Sequence, residues 1–146
     1  MGAVPYSYFV RYQPDVSAAL QELREREFRA GRYNPVQRFP SQSIGPESAA
    51  GGVCHRSIRE ALRAAGADGT RSILDLDRVS AEPTLGAVAP FPDEALRALY
   101  GTTQPTREMI EHGADSEYFD RGQGIYIVVY RDGEPAEIYF AGLSYD

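Results

Sequence analysis

The sequence predicts an α+β fold in which a mostly antiparallel sheet, made of an N-terminal strand and a C-terminal hairpin, packs four helices on one side. Two observations predict this arrangement. The β-rich runs lie at the two ends of the chain with helical runs between them, so strands and helices do not alternate as β-α-β units. The chain has 146 residues, of which 42% are hydrophobic and 25% charged. These values are typical of one globular domain with its own core, here expected to span residues 1–146.

The N-terminal elements are a strand and a helix. The run Tyr6–Tyr12 alternates and is rich in aromatic residues, which favours a strand. Pro14 ends the strand, and Asp15 is the expected N-cap of a helix that continues to Ala30. Gly31 follows at the position where helices often end with a residue in the left-handed backbone conformation.

A long loop is expected at about residues 32–56, because this stretch has scattered prolines and glycines and little periodicity. Loops of this length inside a domain are usually functional or disordered. Ser57 and Glu60 then form a capping box, in which each side chain accepts a hydrogen bond from the backbone at the start of a helix. This short helix is expected to end at Gly66.

The run from Ser72 to Val79 fits two structures. Its residues alternate as in a strand, yet Ile73, Leu76 and Val79 also have helical spacing. A strand is the prediction, and a helix cap from Ser72 to Asp75 is the alternative. An irregular stretch containing proline and glycine follows.

The C-terminal half is expected to hold two helices and a hairpin. The helices are predicted over residues 92–100 and 103–112, each followed by a glycine. The runs Gly124–Tyr130 and Ala136–Ala141 are β-rich and flank an Asp-Gly pair at residues 132–133. An Asp-Gly turn between two such runs is a strong hairpin signal.

The composition excludes several functions. The one cysteine, Cys54, rules out an internal disulfide and a cysteine-based zinc site. All fifteen basic residues are arginine, so lysine Schiff-base and P-loop chemistry are excluded. Codon use in a GC-rich bacterial genome is the expected reason for that bias. The net charge of −6 disfavours nucleic-acid binding and suits a basic protein partner or a small ligand. The sequence has no apolar run of about 20 residues and no signal-like N-terminus. We therefore expect a cytoplasmic protein that does not contact a membrane.

The catalytic candidates are Cys54, His55 and His112. Cys54 lies just before the helix that starts near Ile58, where a helix N-terminus would lower the pKa of a thiol. His55 is adjacent in sequence and points away in an extended chain, so it is poorly placed as the base for Cys54. His112 would have to approach from elsewhere in the fold. A loop cysteine without a role is the favoured alternative.

Asp75 and Asp77 are the metal-ligand candidates. On a strand, two carboxylates two residues apart project from one face, as in many Mg²⁺ sites. No third carboxylate can be placed beside them, and Arg71 and Arg78 offer surface ion pairs instead. A solvated strand edge is therefore favoured, and neither a metal nor another cofactor is expected.

Tyrosine is the most distinctive residue type, with ten tyrosines and no tryptophan. Tyrosine is enriched where a protein surface is half buried and half solvated. Arginines also alternate with aromatic residues over 27–39, a composition that can bind bases or phosphates. The alternation places Tyr6, Tyr8 and Tyr12 on one face of the first strand and Tyr126 and Tyr130 on one face of the hairpin, so pairing of these strands would give a tyrosine-rich sheet face. The alternative is that helices cover this face. The binding candidates are Tyr8, Tyr12, Arg32, Tyr33, Arg38, Tyr126, Tyr130 and Tyr139.

The leading functional hypothesis is a non-catalytic interaction module that binds a protein partner through the tyrosine-rich sheet face or the long loop, as immunity or antitoxin-like inhibitors do. The alternative is a small enzyme, a hydrolase or transferase, or a small-molecule-binding protein. Its site would lie between the 32–56 loop and the sheet. No motif in the chain resembles that of a family of known activity.

Overall fold

The computed structural model describes residues 3–34, 55–113 and 119–146. Within these ranges the chain forms an α+β fold with five strands and four α-helices. The strands are β1 (Pro5–Arg11), β2 (Arg78–Val79), β3 (Ala87–Pro90), β4 (Gly124–Arg131) and β5 (Glu134–Leu143). The helices are α1 (Val16–Arg29), α2 (Ile58–Ala65), α3 (Asp93–Tyr100) and α4 (Arg107–Gly113). None of the helices described is long and apolar enough to cross a membrane.

The strands form one sheet in the order β1-β5-β4-β3-β2. β5 pairs antiparallel with both β1 and β4, so the predicted combination of N-terminal strand and C-terminal hairpin is confirmed. β3 pairs parallel with β4, and β2 pairs parallel with β3. The expectation of a mostly antiparallel sheet therefore needs correction. The sheet is mixed, because α3 and α4 return the chain from β3 to a parallel neighbour.

The helices lie on both faces of the sheet, which corrects the prediction that they pack on one side. Tyr8 of β1 and Phe140 of β5 face the same side and pack with α1 and α2. Phe9 and Tyr139, one position along in each strand, face the other side and pack with α3 and α4. Successive side chains of a strand point to opposite faces, so both aromatic sets are covered.

Local signals in the sequence define the predicted helix starts. The Asp15 side chain accepts a hydrogen bond from the Ala18 backbone N–H at the start of α1. The Ser57 hydroxyl accepts one from the Glu60 N–H, and the Glu60 carboxylate reaches back to the Arg56 N–H. The capping motif is therefore formed, with its return contact one residue earlier than expected.

Residues 72–79 do not form the predicted strand. Ser72 caps a 3-10 turn at Ile73–Asp75 by accepting a hydrogen bond from the Leu74 N–H. Only Arg78 and Val79 then add to the sheet as β2. Burial decides between the two patterns: Ile73, Leu74 and Leu76 are all fully buried, which a one-sided alternating strand would not allow. β3 lies in the stretch that the sequence indicated as irregular.

Candidate functional site

The outer edge of β1 is the candidate site, and its geometry follows from the pairing of β1 with β5. The Tyr12 N–H donates to the Ala136 carbonyl at 3.1 Å, and the Ser144 N–H donates to the Val4 carbonyl at 3.0 Å. In an antiparallel pair, the residues that exchange hydrogen bonds alternate along the strand. The backbone groups of the even-numbered residues therefore point to β5.

The odd-numbered residues of β1 direct their backbone groups away from the sheet. The outward N–H groups belong to Ser7, Phe9 and Arg11, and the outward carbonyls to these three residues and Pro5. No residue in the described ranges forms a hydrogen bond with these groups. Pro5, Ser7 and Arg11 are exposed, whereas Phe9 is half-buried. Such a row of unused donors and acceptors is a template for another strand.

One face of the edge is held by Phe9 and Arg107. The Phe9 ring lies 4.9 Å from the Tyr139 ring, and the Arg107 guanidinium lies 4.2 Å above the centre of Phe9. Arg107 also bonds Glu111 at 2.8 Å and Glu137 at 2.9 Å. The hydrogen bond with Glu111 and the attraction of both carboxylates raise the pKa of Arg107 above its ordinary value. The cation therefore remains charged beside the edge.

The other face of the edge rests on two buried tyrosines. The Tyr8 hydroxyl accepts a hydrogen bond from the Ile73 N–H at 3.3 Å, which joins β1 to the 3-10 turn. The Tyr6 hydroxyl is buried and has no hydrogen-bond partner among the described residues. Burial raises the pKa of both phenols above the ordinary value, so both stay neutral at physiological pH.

The predicted tyrosine-rich face is covered. Tyr8, Tyr33 and Tyr139 are buried in the core. Tyr12 and Tyr126 are half-buried against the cluster that contains Tyr8. Tyr139 lies on the opposite face of the sheet, with Phe9, and Tyr130 is half-buried at the bulge near the end of β4. No described tyrosine is fully exposed, so these side chains build the support beneath the surface.

Arg32, Tyr33 and His55 form a second polar group, at the ends of the 35–54 segment. The Arg32 guanidinium makes a two-pronged ion pair with Glu27, at 2.9 Å and 2.6 Å, and the Glu27 side chain is only 2% exposed. This hydrogen bonding raises the pKa of Arg32. The Tyr33 hydroxyl bonds His55 Nδ1 at 2.6 Å, and the Tyr33 ring stacks on Phe28 at 6.0 Å. Both candidate binding residues are therefore engaged within the fold.

The catalytic candidates are not brought together by the described part of the chain. Cys54 and the binding candidate Arg38 lie outside the described residues, as does most of the loop predicted at 32–56. His55 contacts Tyr33 in the core on the α1 face. His112 is exposed on α4, which packs on the opposite face through Ile110. The sheet therefore separates the two histidines.

Asp75 is a buried carboxylate at the centre of a turn. Its Oδ1 accepts hydrogen bonds from the Thr70 N–H at 2.8 Å and the Thr70 hydroxyl at 2.7 Å. Its Oδ2 is buried without a hydrogen-bond partner in the described ranges. Burial raises the pKa of Asp75, although the bonds from Thr70 and the attraction of Arg24 act in the opposite direction. Asp75 thus holds the turn that precedes β2.

The two metal-ligand candidates, Asp75 and Asp77, lie in different environments. Asp77 is exposed and pairs with Arg78 at 2.9 Å, as the surface interpretation expected. No group of three potential metal ligands occurs among the residues described. Asp75 also lies before β2, near the amino ends of the parallel strands. Ligands of parallel sheets bind at the carboxyl ends instead, which favours a structural role for Asp75.

Comparisons with protein-family models, with curated proteins and with solved structures find no match to this chain. The functional inference therefore rests on the chemistry of its own residues. Reasoning from the sequence missed the β1 edge. A signal for it was present, because the centre of the Tyr6–Tyr12 run holds neither a charge nor a proline. Its position at the edge depends on the strand order, which the sequence pattern does not give.

Proposed function

We propose that this protein is an interaction module that binds a partner chain by adding an extended segment of the partner to the outer edge of β1. The observation that carries the proposal is the row of N–H and carbonyl groups at Pro5, Ser7, Phe9 and Arg11 that no residue in the described ranges bonds. Strand addition of this kind takes its affinity from backbone hydrogen bonds and its specificity from alternate side chains. The hypothesis of a protein-binding module is kept, with the edge of the sheet replacing the tyrosine face.

The charge at the edge defines the chemistry of the partner. Between Pro5 and Val10 the strand carries no charge, and Arg11 is the one charged residue of β1. The net charge of −6 therefore lies on other parts of the molecule. A segment that is uncharged at its centre fits this edge, since a charge opposite the half-buried Phe9 would be partly desolvated.

The edge strand is already formed and packed in the unbound protein. Both faces of β1 pack into core clusters, through Tyr8 on one side and Phe9 on the other. β1 also forms a continuous ladder with β5 over its seven residues. Because β1 is already formed, it does not have to become ordered when the partner binds. This removes part of the entropic cost of association.

A pair of substitutions at Ser7 tests the proposal. Ser7→Pro removes one outward N–H, and the fold tolerates it because that N–H does not bond β5. Ser7→Thr keeps the N–H and is the matched control. In pull-downs from a native lysate, a partner should be retained by the wild type and Ser7→Thr and lost by Ser7→Pro.

Amide exchange in the resulting complex locates the contact. The N–H groups of Ser7, Phe9 and Arg11 should become protected when the partner binds. Those of Tyr8 and Val10 should be protected in both states, since they bond β5. A partner retained equally by Ser7→Pro, or a complex in which the three outward amides still exchange freely, contradicts the proposal.

A further inference from the structure

The strand β1 is complementary to itself, and this property identifies a partner. We propose that the segment added at the edge is β1 of a second copy of this chain, paired antiparallel about a twofold axis through Tyr8. The inference rests on the proposed function and names its partner. A twofold dimer uses the same surface on both subunits, so the strand has to satisfy its own hydrogen-bonding groups.

The hydrogen bonds of this pairing follow from the alternation along β1. With Tyr8 opposite its own copy, Ser7 stands opposite Phe9 of the second chain, and Arg11 stands opposite Pro5. Ser7, Phe9 and Arg11 of each copy donate one N–H across the axis, which gives three bonds from each strand and six in all. Pro5 has no N–H to donate, and its carbonyl accepts from Arg11. Every outward N–H of both strands is therefore used.

The charges beside the strand select this register. Centring the pairing on Phe9 would use the same N–H groups but align only residues 7–11. It would also place two Phe9 rings opposite each other, each beneath an Arg107 guanidinium 4.2 Å away. Each guanidinium is paired with the carboxylates of Glu111 and Glu137, so two groups with an excess of negative charge would face each other across the axis, which is unfavourable. With Tyr8 on the axis, all seven residues overlap, and Arg11 faces the uncharged Pro5.

The side chains also match in this register. The half-buried Val10 lies opposite Tyr6 of the second copy, on the face that already contains the apolar cluster of Tyr8. The half-buried Phe9 lies opposite Ser7 of the second copy, and Ser7 is exposed in the isolated monomer. Cross-strand pairs of an aromatic and a β-branched residue stabilise antiparallel sheets. The dimer thus extends the sheet of each copy and covers the side chains that the edge leaves half exposed.

Sedimentation of the purified protein over a concentration series tests the dimer. The wild type and Ser7→Thr should show a reversible monomer–dimer equilibrium. Ser7→Pro removes two of the six bonds, one from each copy, and should weaken dimerisation by about tenfold or more. Thermal melting of dilute monomeric samples checks that each variant is folded. A wild type that stays monomeric at millimolar concentration overturns the inference.

Disulfide trapping tests the register, in chains that carry Cys54→Ser. A mixture of Ser7→Cys and Phe9→Cys chains should form a cross-linked heterodimer, because directly opposite residues have Cα atoms about 5.5 Å apart. Neither variant alone should cross-link with itself, since its two cysteines would be diagonal neighbours about 7–8 Å apart. Self-linking of the Ser7→Cys or the Phe9→Cys chains overturns the register about Tyr8.

The two proposals fail in different ways. If the purified protein is monomeric while Ser7→Pro still loses a different partner from the lysate, the second copy is wrong and the edge-binding function stands. If Ser7→Pro changes neither self-association nor partner capture, both proposals are wrong. A dimer that forms equally well with Ser7→Pro overturns the inference, because its contact lies elsewhere.

Discussion

The two edges of the sheet are built in opposite ways. β1 presents seven residues with an uncharged centre. β2 has only two residues, and its neighbourhood is charged: Arg78 pairs with Asp77 at 2.9 Å and donates to the Leu85 carbonyl at 3.1 Å. Short strands and charged side chains are the usual means of preventing a sheet edge from pairing with another chain. Among the described residues, both means occur at β2, whereas the longer β1 has a charge only at its end, at Arg11. The β1 edge is therefore the one that remains suited to pairing.

The difference extends to what lies beneath each edge. Phe140, which lies opposite Tyr8 on the neighbouring strand β5, is fully buried and belongs to the same cluster as Tyr8. Leu85, beside β2, is 59% exposed. The β1 edge is therefore backed by the core, whereas the β2 edge ends in a surface loop. Three substitutions break or sharpen this comparison.

The largest effect is expected from Phe140→Ala. Phe140 lies opposite Tyr8 on one side and Tyr126 on the other, so its removal leaves a cavity beneath the β1 ladder. A buried phenylalanine replaced by alanine costs about 3–5 kcal/mol of unfolding free energy. The control Leu85→Ala should change it by less than about 0.5 kcal/mol, as exposed substitutions usually do. Urea denaturation measures both, and equal losses would show that the two edges are supported alike.

An intermediate effect is expected from Tyr8→Phe, with Tyr6→Phe as its partner experiment. Removing the Tyr8 hydroxyl leaves the buried Ile73 N–H without an acceptor, which costs about 1–3 kcal/mol. The Tyr6 hydroxyl has no such partner in the described structure, so Tyr6→Phe should be neutral or stabilising. Equilibrium unfolding under identical conditions compares them. A larger loss for Tyr6→Phe than for Tyr8→Phe would contradict the assignment of these hydroxyls.

The smallest effect is expected from Asp75→Asn, and it depends on pH. Burial raises the pKa of Asp75 above its unfolded value, so the folded state binds the proton more tightly. The contribution of Asp75 to stability is therefore complete at low pH and is lost as the pH rises through the folded pKa. The asparagine variant lacks this loss because its amide does not titrate, and its amide oxygen can still accept the bonds from Thr70.

Unfolding free energies at pH 4, 5, 6 and 7 measure that difference. The stability of Asp75→Asn relative to the wild type should rise with pH over this range. Asp146 behaves in the opposite sense, since its hydrogen bond with Arg71 lowers its pKa to about 2, but it titrates below the range measured and is present in both proteins. A relative stability that falls with rising pH would contradict the buried environment of Asp75.

Local chemistry made some elements predictable. Asp132 and Gly133 adopt φ angles of 53° and 78°, which suits the tight hairpin turn that their sequence predicts. Asp15 and Ser57 act as the expected caps because each bond spans only three residues. By contrast, residues 72–79 carry two patterns at once. Their conformation depends on burial by other elements, which the local sequence does not encode.

The site was less predictable than the fold. The abundance of tyrosine drew attention to residues of β1 and of the core beside it. It did not predict that these side chains are buried or half-buried. Tyr8 and Tyr12 share a face with Tyr126, as the alternation predicted, yet α1 packs on that face. The pairing of His55 with Tyr33 joins residues separated by 22 positions and had no sequence signal.

The sequence by itself determined the local elements: the caps, the C-terminal hairpin and the alternating first strand. These depend on residues within a few positions of each other. The tertiary structure decided the strand order, the placement of helices on both faces and the burial of the tyrosines. It also decided that β1 lies at an edge with its odd-numbered amides turned outward. Those features arise from contacts between distant segments, which compete for burial only once the whole chain has folded.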